Sequence, residues 1–121
     1  MTKDVGQLIG SLLEVKEAWR SFFQEHSSVI STDILLALVH RYSNGNPLSM
    51  KQLVAELPHS EAAIKQHLRK LEQKELIVRQ PSKLDGRVVH LIPRQSTIEA
   101  IGRLAWEIRN IFYPPSPGSK K

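Results

Sequence analysis

Residues 60–93 read SEAAIKQHLRKLEQKELIVRQPSKLDGRVVHLIP, and the change of period inside this stretch decides the fold. Ile64, Leu68 and Leu71 recur at i, i+4 and i+7, so one stripe turns inward and leaves Lys65, Gln66, Arg69, Lys70 and Gln73 outside. Ser60 is placed to cap this helix, and Glu61 falls in its first turn, where the helix dipole favours an anion. The spacing predicts a helix over residues 61–74. Beyond it, residues 76–80 and 88–92 are β-branched runs on either side of Asp85-Gly86. Asp-Gly between apolar runs signals a hairpin, because glycine accepts the positive φ that tight hairpin turns need. A two-stranded ribbon with its tip at residues 83–87 is expected. Pro81 cannot donate to a strand ladder, which predicts that pairing stops short of it and that the tip is long.

Upstream, Ser49 and Gln52 make a capping box that opens a helix over residues 50–57, and Pro58-His59-Ser60 is a three-residue break. Two short helices joined by so tight a turn form a helix-turn-helix. Ser43-Asn44-Gly45-Asn46-Pro47 reads as a turn, and Ser31-Thr32-Asp33 supplies N-cap candidates for a short helix carrying Ile34, Leu35, Leu38 and Val39. Val5, Leu8, Ile9, Leu12, Val15, Trp19, Phe22 and Phe23 keep helical spacing over about residues 5–24. At the other end Ser96 and Glu99 form a second capping box, and Ile98, Ile101, Ala105, Ile108 and Phe112 follow in an a/d seam that Leu104 and Ile111 widen. Residues 114–121, rich in Pro, Ser, Gly and Lys, read as a disordered tail. The expectation is one mainly α winged-helix domain over residues 1–113, of about five helices and a two-stranded β-wing. Residues 30–94 form its core, and the helices at 5–24 and 96–112 are its dimerisation elements.

Charge falls unevenly along the 121 residues. Residues 65–94 hold eight basic side chains against Glu72, Glu75 and Asp85, a balance equal to the +5 of the whole chain. A block of this kind marks an anionic partner, most often nucleic acid, or else a solvated face. There is no cysteine, hence no disulfide framework, thiolate nucleophile or cysteine zinc site. Asp4 and Glu14 interrupt the N-terminal apolar pattern, and no apolar run approaches about 18 residues, so a cytoplasmic protein without a membrane partner is expected. Phosphate-loop, dinucleotide, serine-hydrolase and zincin motifs are missing, so no catalytic residue, metal or cofactor is assigned.

The run LVAELPHSEAAIKQHLRKLEQKELIVRQPSKLDGRVVHLIP, residues 53–93, resembles the core of the MarR family of bacterial transcription regulators. The likeness extends over about residues 30–112, and its most specific element is Asp85-x-Arg87, matching that family's D-x-R wing signature. The resemblance implies that Arg87 enters the DNA minor groove, with Asp85 holding the wing or its arginine in position. It places Ala62, Ala63, Lys65 and Gln66 on the major-groove face of the recognition helix. It also implies a homodimer and leaves room for an anionic aromatic effector that no residue here identifies. The chain departs from the family pattern in having Glu75 where the recognition helix usually closes on Gly, Gln95-Ser96 in place of a Gly after the second wing strand, and one C-terminal helix for two. Any left-handed cap must then fall on a non-Gly residue, which costs about 1 kcal/mol. HLRKLEQKELI also resembles the ArsR family of metal sensors, but His26, His40, His59, His67 and His90 show no i, i+3 or i, i+4 pair. His67, next to Leu68, is expected to be packed rather than a ligand.

The physics of the residues agrees with these roles. Gln can pair bidentately with adenine, Lys can contact guanine or phosphate, and Ala62 and Ala63 offer only methyl groups. The expected DNA surface is Ser60, Ala62, Ala63, Lys65, Gln66, Arg69, Lys70, Lys83, Asp85 and Arg87. The expected dimer surface is Leu8, Leu12, Trp19, Ile98, Ile101, Ala105, Ile108 and Phe112. Trp106 lies off the seam and could cover a core edge, join a dimer interface or line a small-molecule pocket. Three functions remain open: a sequence-specific duplex-DNA regulator acting as a homodimeric repressor, a winged-helix module for protein contacts, and a sequence-independent DNA-binding protein.

Overall fold

A computed structural model of the chain describes residues 4–24 and 28–116; His26 and the end of the tail, 117–121, lie outside the described residues. Five helices and three short strands follow one another as α1 (Val5–Phe22), α2 (Val29–Ser43), β1 (Leu48–Ser49), α3 (Met50–Glu56), α4 (Glu61–Gln73), β2 (Ile77–Pro81), β3 (Val89–Pro93) and α5 (Gln95–Phe112). Contacts divide them into two units, one holding α1 with the greater part of α5, the other running from α2 to the start of α5.

The second unit is the winged helix. Ile34, Leu35 and Leu38 of α2, Leu53 of α3, and Ile64, Leu68 and Leu71 of α4 are buried together with Ile77 and Leu91 of the sheet. Burying each such side chain contributes roughly 1.5–3 kcal/mol, so this apolar centre fixes where α4 lies. α3 opens with the expected box: Ser49 Oγ accepts the Gln52 N–H and Gln52 Oε1 accepts the Ser49 N–H. Ser60 Oγ accepts the Ala63 N–H at 3.1 Å and starts α4 where the sequence places it. His67 is half-buried and its Nδ1 lies 2.9 Å from the Ala63 carbonyl oxygen, a packed position.

α4 ends on a left-handed residue, Glu75, with φ 62°. The Leu76 N–H reaches the Leu71 carbonyl at 3.1 Å and the Glu75 N–H reaches the Glu72 carbonyl at 2.9 Å. These are the two bonds of a Schellman cap, which glycine usually closes. The departure noted at Glu75 is therefore a real conformational strain.

Four details depart from the sequence reading. The sheet has three strands in the order β1-β3-β2, because Leu48 pairs with Leu91 and Ser49 with His90. A two-residue strand leaves no alternating pattern; it exists because Ser49 must be extended to act as an N-cap (φ −85°, ψ 171°). α2 begins at Val29, capped by Ser28 Oγ, which accepts the Ile30 and Ser31 N–H groups, so Ser31 and Thr32 are buried in the first turn instead of capping it.

Pairing in the wing runs through Pro81, opposite Val89, and the Ser82 N–H still donates to the Val88 carbonyl at 2.7 Å. With 82:88 and 76:94 hydrogen-bonded, the alternate pairs, including Pro81:Val89, are the non-bonded kind. The proline nitrogen therefore faces away from β3 on an edge strand and removes no ladder bond. Finally, α5 starts at Gln95, ahead of Ser96, and its buried residues are Thr97, Ile101 and Leu104, whereas Ala105 is exposed. The Thr97 hydroxyl donates to the Leu76 carbonyl at 2.9 Å, which holds this rotation of the helix at its start.

Candidate nucleic-acid interface

The outward face of α4 begins with Ala62, Lys65 and Gln66 and continues through Arg69 and Lys70, all exposed; Ala63 is half-exposed. Their spacing puts them opposite Ile64, Leu68 and Leu71, which the core holds at 1% exposure or less. The turn before the helix is braced as well. His59 Nε2 lies 2.7 Å from Asp33 Oδ2, both partly buried, so the α3–α4 turn is tied to α2 immediately before the Ser60 cap. Sequence reasoning missed this pair, since 26 residues separate its members and no local motif announces it.

The charge on this face is less free than the composition implies. Lys65 Nζ is 2.8 Å from Glu61 Oε2 one turn earlier, and that lysine beside Glu61 holds the carboxyl below the usual range. Arg79 of β2 reaches Glu72 through Nε and Nη2, tying the wing to α4. Among the described residues, Arg69, Lys70, Lys83 and Arg94 have no acidic partner. The Glu61–Lys65 spacing, i and i+4, was visible in the sequence as an ion-pair signal.

The wing tip is an ordered loop. Ser82 Oγ accepts the N–H groups of Leu84 and Asp85, and the Val88 N–H closes a turn on the Asp85 carbonyl at 2.9 Å. Gly86 keeps a negative φ, contrary to the hairpin expectation: side-chain acceptors make the turn, and a seven-residue tip needs no left-handed glycine. Asp85 contacts Arg87 through backbone and side chain. Its Oδ1 accepts both the backbone N–H and Nε of Arg87 at 3.1 Å, and Oδ2 accepts Nη2 at 3.3 Å. The Arg87 contacts hold the Asp85 carboxyl below its ordinary range. The Arg87 side chain nevertheless remains 91% exposed, so the guanidinium is oriented without being covered.

The unit of α1 and α5 carries a different surface. Val5, Leu8, Ile9, Leu12 and Leu13 form a stripe along α1 and are all 42% exposed or more. Trp19 and Phe22 are half-buried around the buried Phe23, in ring contacts at 4.8 Å. On α5, Ile101 is buried, Ile98 and Ile108 are half-buried, and Ala105 and Phe112 are exposed, so the predicted dimer residues do not share one burial state. Trp106 is 62% exposed with Arg109 5.1 Å over its ring, which removes the core-edge reading. Among the described residues, no cluster of three metal-ligating side chains occurs and no helix is long and apolar enough to cross a membrane.

Residues 32–88 match the model of the MarR family, a span from the first turn of α2 to the end of the wing tip. The multidrug-efflux regulator MepR of Staphylococcus aureus, solved in complex with DNA, is 18% identical and superposes with a TM-score of 0.70 over 91% of this chain and 86% of its own. A transcriptional regulator from Thermotoga maritima is 19% identical, with a TM-score of 0.64 over 88% of this chain and 72% of its own. The heme sensor PefR of Streptococcus agalactiae, in complex with heme, is 15% identical, with a TM-score of 0.57 over the whole of this chain and 84% of its own. No curated protein matches the chain.

Proposed function

We propose that this chain, whose residues 32–88 match the MarR family model, is a transcription regulator that represses by binding duplex DNA as a homodimer in the cytoplasm. α4 enters the major groove, where Gln66 reads bases and Arg69 and Lys70 meet phosphates, with Ser60, Ala62, Ala63 and Lys65 lining the approach. The wing carries Lys83 to the backbone and Arg87 to the minor groove. The observation that carries this reading is the bidentate hold of Asp85 on an exposed Arg87, a cation aimed outward by the loop that bears it. The second subunit is held by the exposed stripe at Leu8 and Leu12 together with the exposed or half-buried Trp19, Ala105, Ile108 and Phe112, while Ile101, buried within its own chain, takes no part. A two-fold pair places its recognition helices about one helical turn apart, so the operator is a pseudo-palindrome. That DNA is bound by MepR in its complex supports this reading by likeness of fold.

Selection of bound duplexes from a random pool tests it: recovery of a two-fold symmetric sequence is expected. One observation favours the sequence-independent alternative, namely that Lys65 is paired with Glu61 beside Ala62 and Ala63, which leaves Gln66 as the main base-reading group. A pool that returns unenriched, from a protein that still retards duplex DNA, selects that alternative.

A further inference from the structure

Leu84 is 98% exposed, more than any other large hydrophobic residue of the described chain. A lone exposed leucine on a mobile loop requires no explanation. Leu84 is held differently. Its backbone N–H is bound by Ser82 Oγ at 3.1 Å, the next N–H by the same oxygen at 3.3 Å, and the loop is closed below it by the Ser82–Val88 and Val88–Asp85 bonds. The wing thus presents an apolar side chain outward at a defined place, between Lys83, which has no acidic partner, and the oriented guanidinium of Arg87.

An apolar tip between two cations fits a duplex, whose phosphate walls attract the cations and whose base faces, reached from the minor groove when a step is partly opened, are apolar. We propose that Leu84 is a wedge that enters the minor groove beside Arg87, partly unstacks one base step and bends the DNA. The inference rests on the DNA-binding reading above and extends it to deformation of the DNA. Proteins that insert Leu, Phe, Ile, Met or Pro in this way kink the duplex by about 20–90°. Flexible pyrimidine–purine steps open most readily, so Leu84 adds a preference for such a step at the wing position without any hydrogen bond to a base.

The test uses the full chain and an A·T-rich duplex of about 30 base pairs carrying a central TA step, end-labelled for fluorescence energy transfer, beside a gel-shift titration over a range of salt. The unaltered protein is expected to shorten the end-to-end distance. Leu84→Ala is expected to bind about tenfold more weakly, to leave the duplex near its free length and to keep the same salt slope, because no phosphate contact is lost. Leu84→Phe, still a wedge, is expected to retain the bend. Unchanged thermal unfolding of both variants confirms that only the contact was altered. Binding by the unaltered protein with no bend, or an equal bend in Leu84→Ala, overturns the wedge and leaves the DNA-binding reading standing. Failure of the unaltered protein to retard any duplex overturns both.

Discussion

α4 and the wing each carry an acid paired with a base two to four residues away, and the two pairs do opposite things. On α4, Glu61 and Lys65 lie one helical turn apart on a straight, exposed face, so the carboxylate draws the ammonium along the helix and offsets its charge. In the wing, Asp85 and Arg87 sit on a turn whose backbone the same carboxylate organises, so the acid aims the guanidinium. The same chemistry makes one contact along a helix in one place and three contacts around a turn in the other. The difference comes from geometry: a single contact between two rotatable side chains on a helix against a planar fork held at two oxygens, with the backbone N–H of the same residue bound as well.

Four substitutions break or sharpen this contrast, from the largest effect to the smallest. Arg87→Ala is expected to weaken duplex binding by about tenfold or more and to reduce the salt slope by about one, read by titration at several salt concentrations. Asp85→Asn is the sharper case, because it raises the net positive charge while releasing the arginine. If Asp85 is a mount, affinity falls several-fold despite the added charge; a rise in affinity would reduce it to a neutraliser like Glu61. Glu61→Gln is expected to act in the opposite sense, strengthening binding a few-fold and steepening the salt dependence by about one as Lys65 is released. Glu75→Gly lies outside both pairs and should leave affinity unchanged while stabilising the fold by about 1 kcal/mol, measured by denaturant titration, since glycine adopts the left-handed cap without strain.

Acidity gives a further check on the wing. The folded-state carboxyl of Asp85 is lowered, so its contribution is complete above the unfolded value and is lost only as pH falls through the lowered one. The ratio of wild-type to Asp85→Asn affinity is therefore expected to stay flat across about pH 5–8 and to shrink only at still lower pH. A ratio that varies within that range would mean that another group titrates with the pair.

Where sequence reasoning succeeded, the signal was local and redundant. The capping box at Ser49, the cap at Ser60, the i, i+4, i+7 stripe of α4 and the D-x-R turn each combine a residue preference with a spacing, and each is present. The failures share a cause, which is competition among equally good local signals that only packing resolves. Ser28 and Ser31-Thr32-Asp33 are all acceptable caps; starting the helix at Ser28 puts Ser31 and Thr32 in the interior and leaves Asp33 within reach of His59. The 3,4,3,4 seam on α5 counts Ala105, yet Leu104 buries the larger side chain, and the Thr97 hydrogen bond fixes the rotation that favours it. The glycine at 86 was assigned a conformation that Ser82 and Asp85 make unnecessary.

Pro81 has one more consequence, and it concerns what the sheet refuses. β1 and β2 are the open edges of the three-stranded sheet, and an open edge with a row of free N–H groups recruits strands from other molecules. β1 is two residues long, too short to template anything. β2 is five residues long, but its outward side carries the proline nitrogen, with the exposed Arg79 and Gln80 alongside. A ribbon with an exposed tip is thereby kept from meeting its own copies edge to edge, so crowding the protein should not drive fibrillar aggregation through the wing.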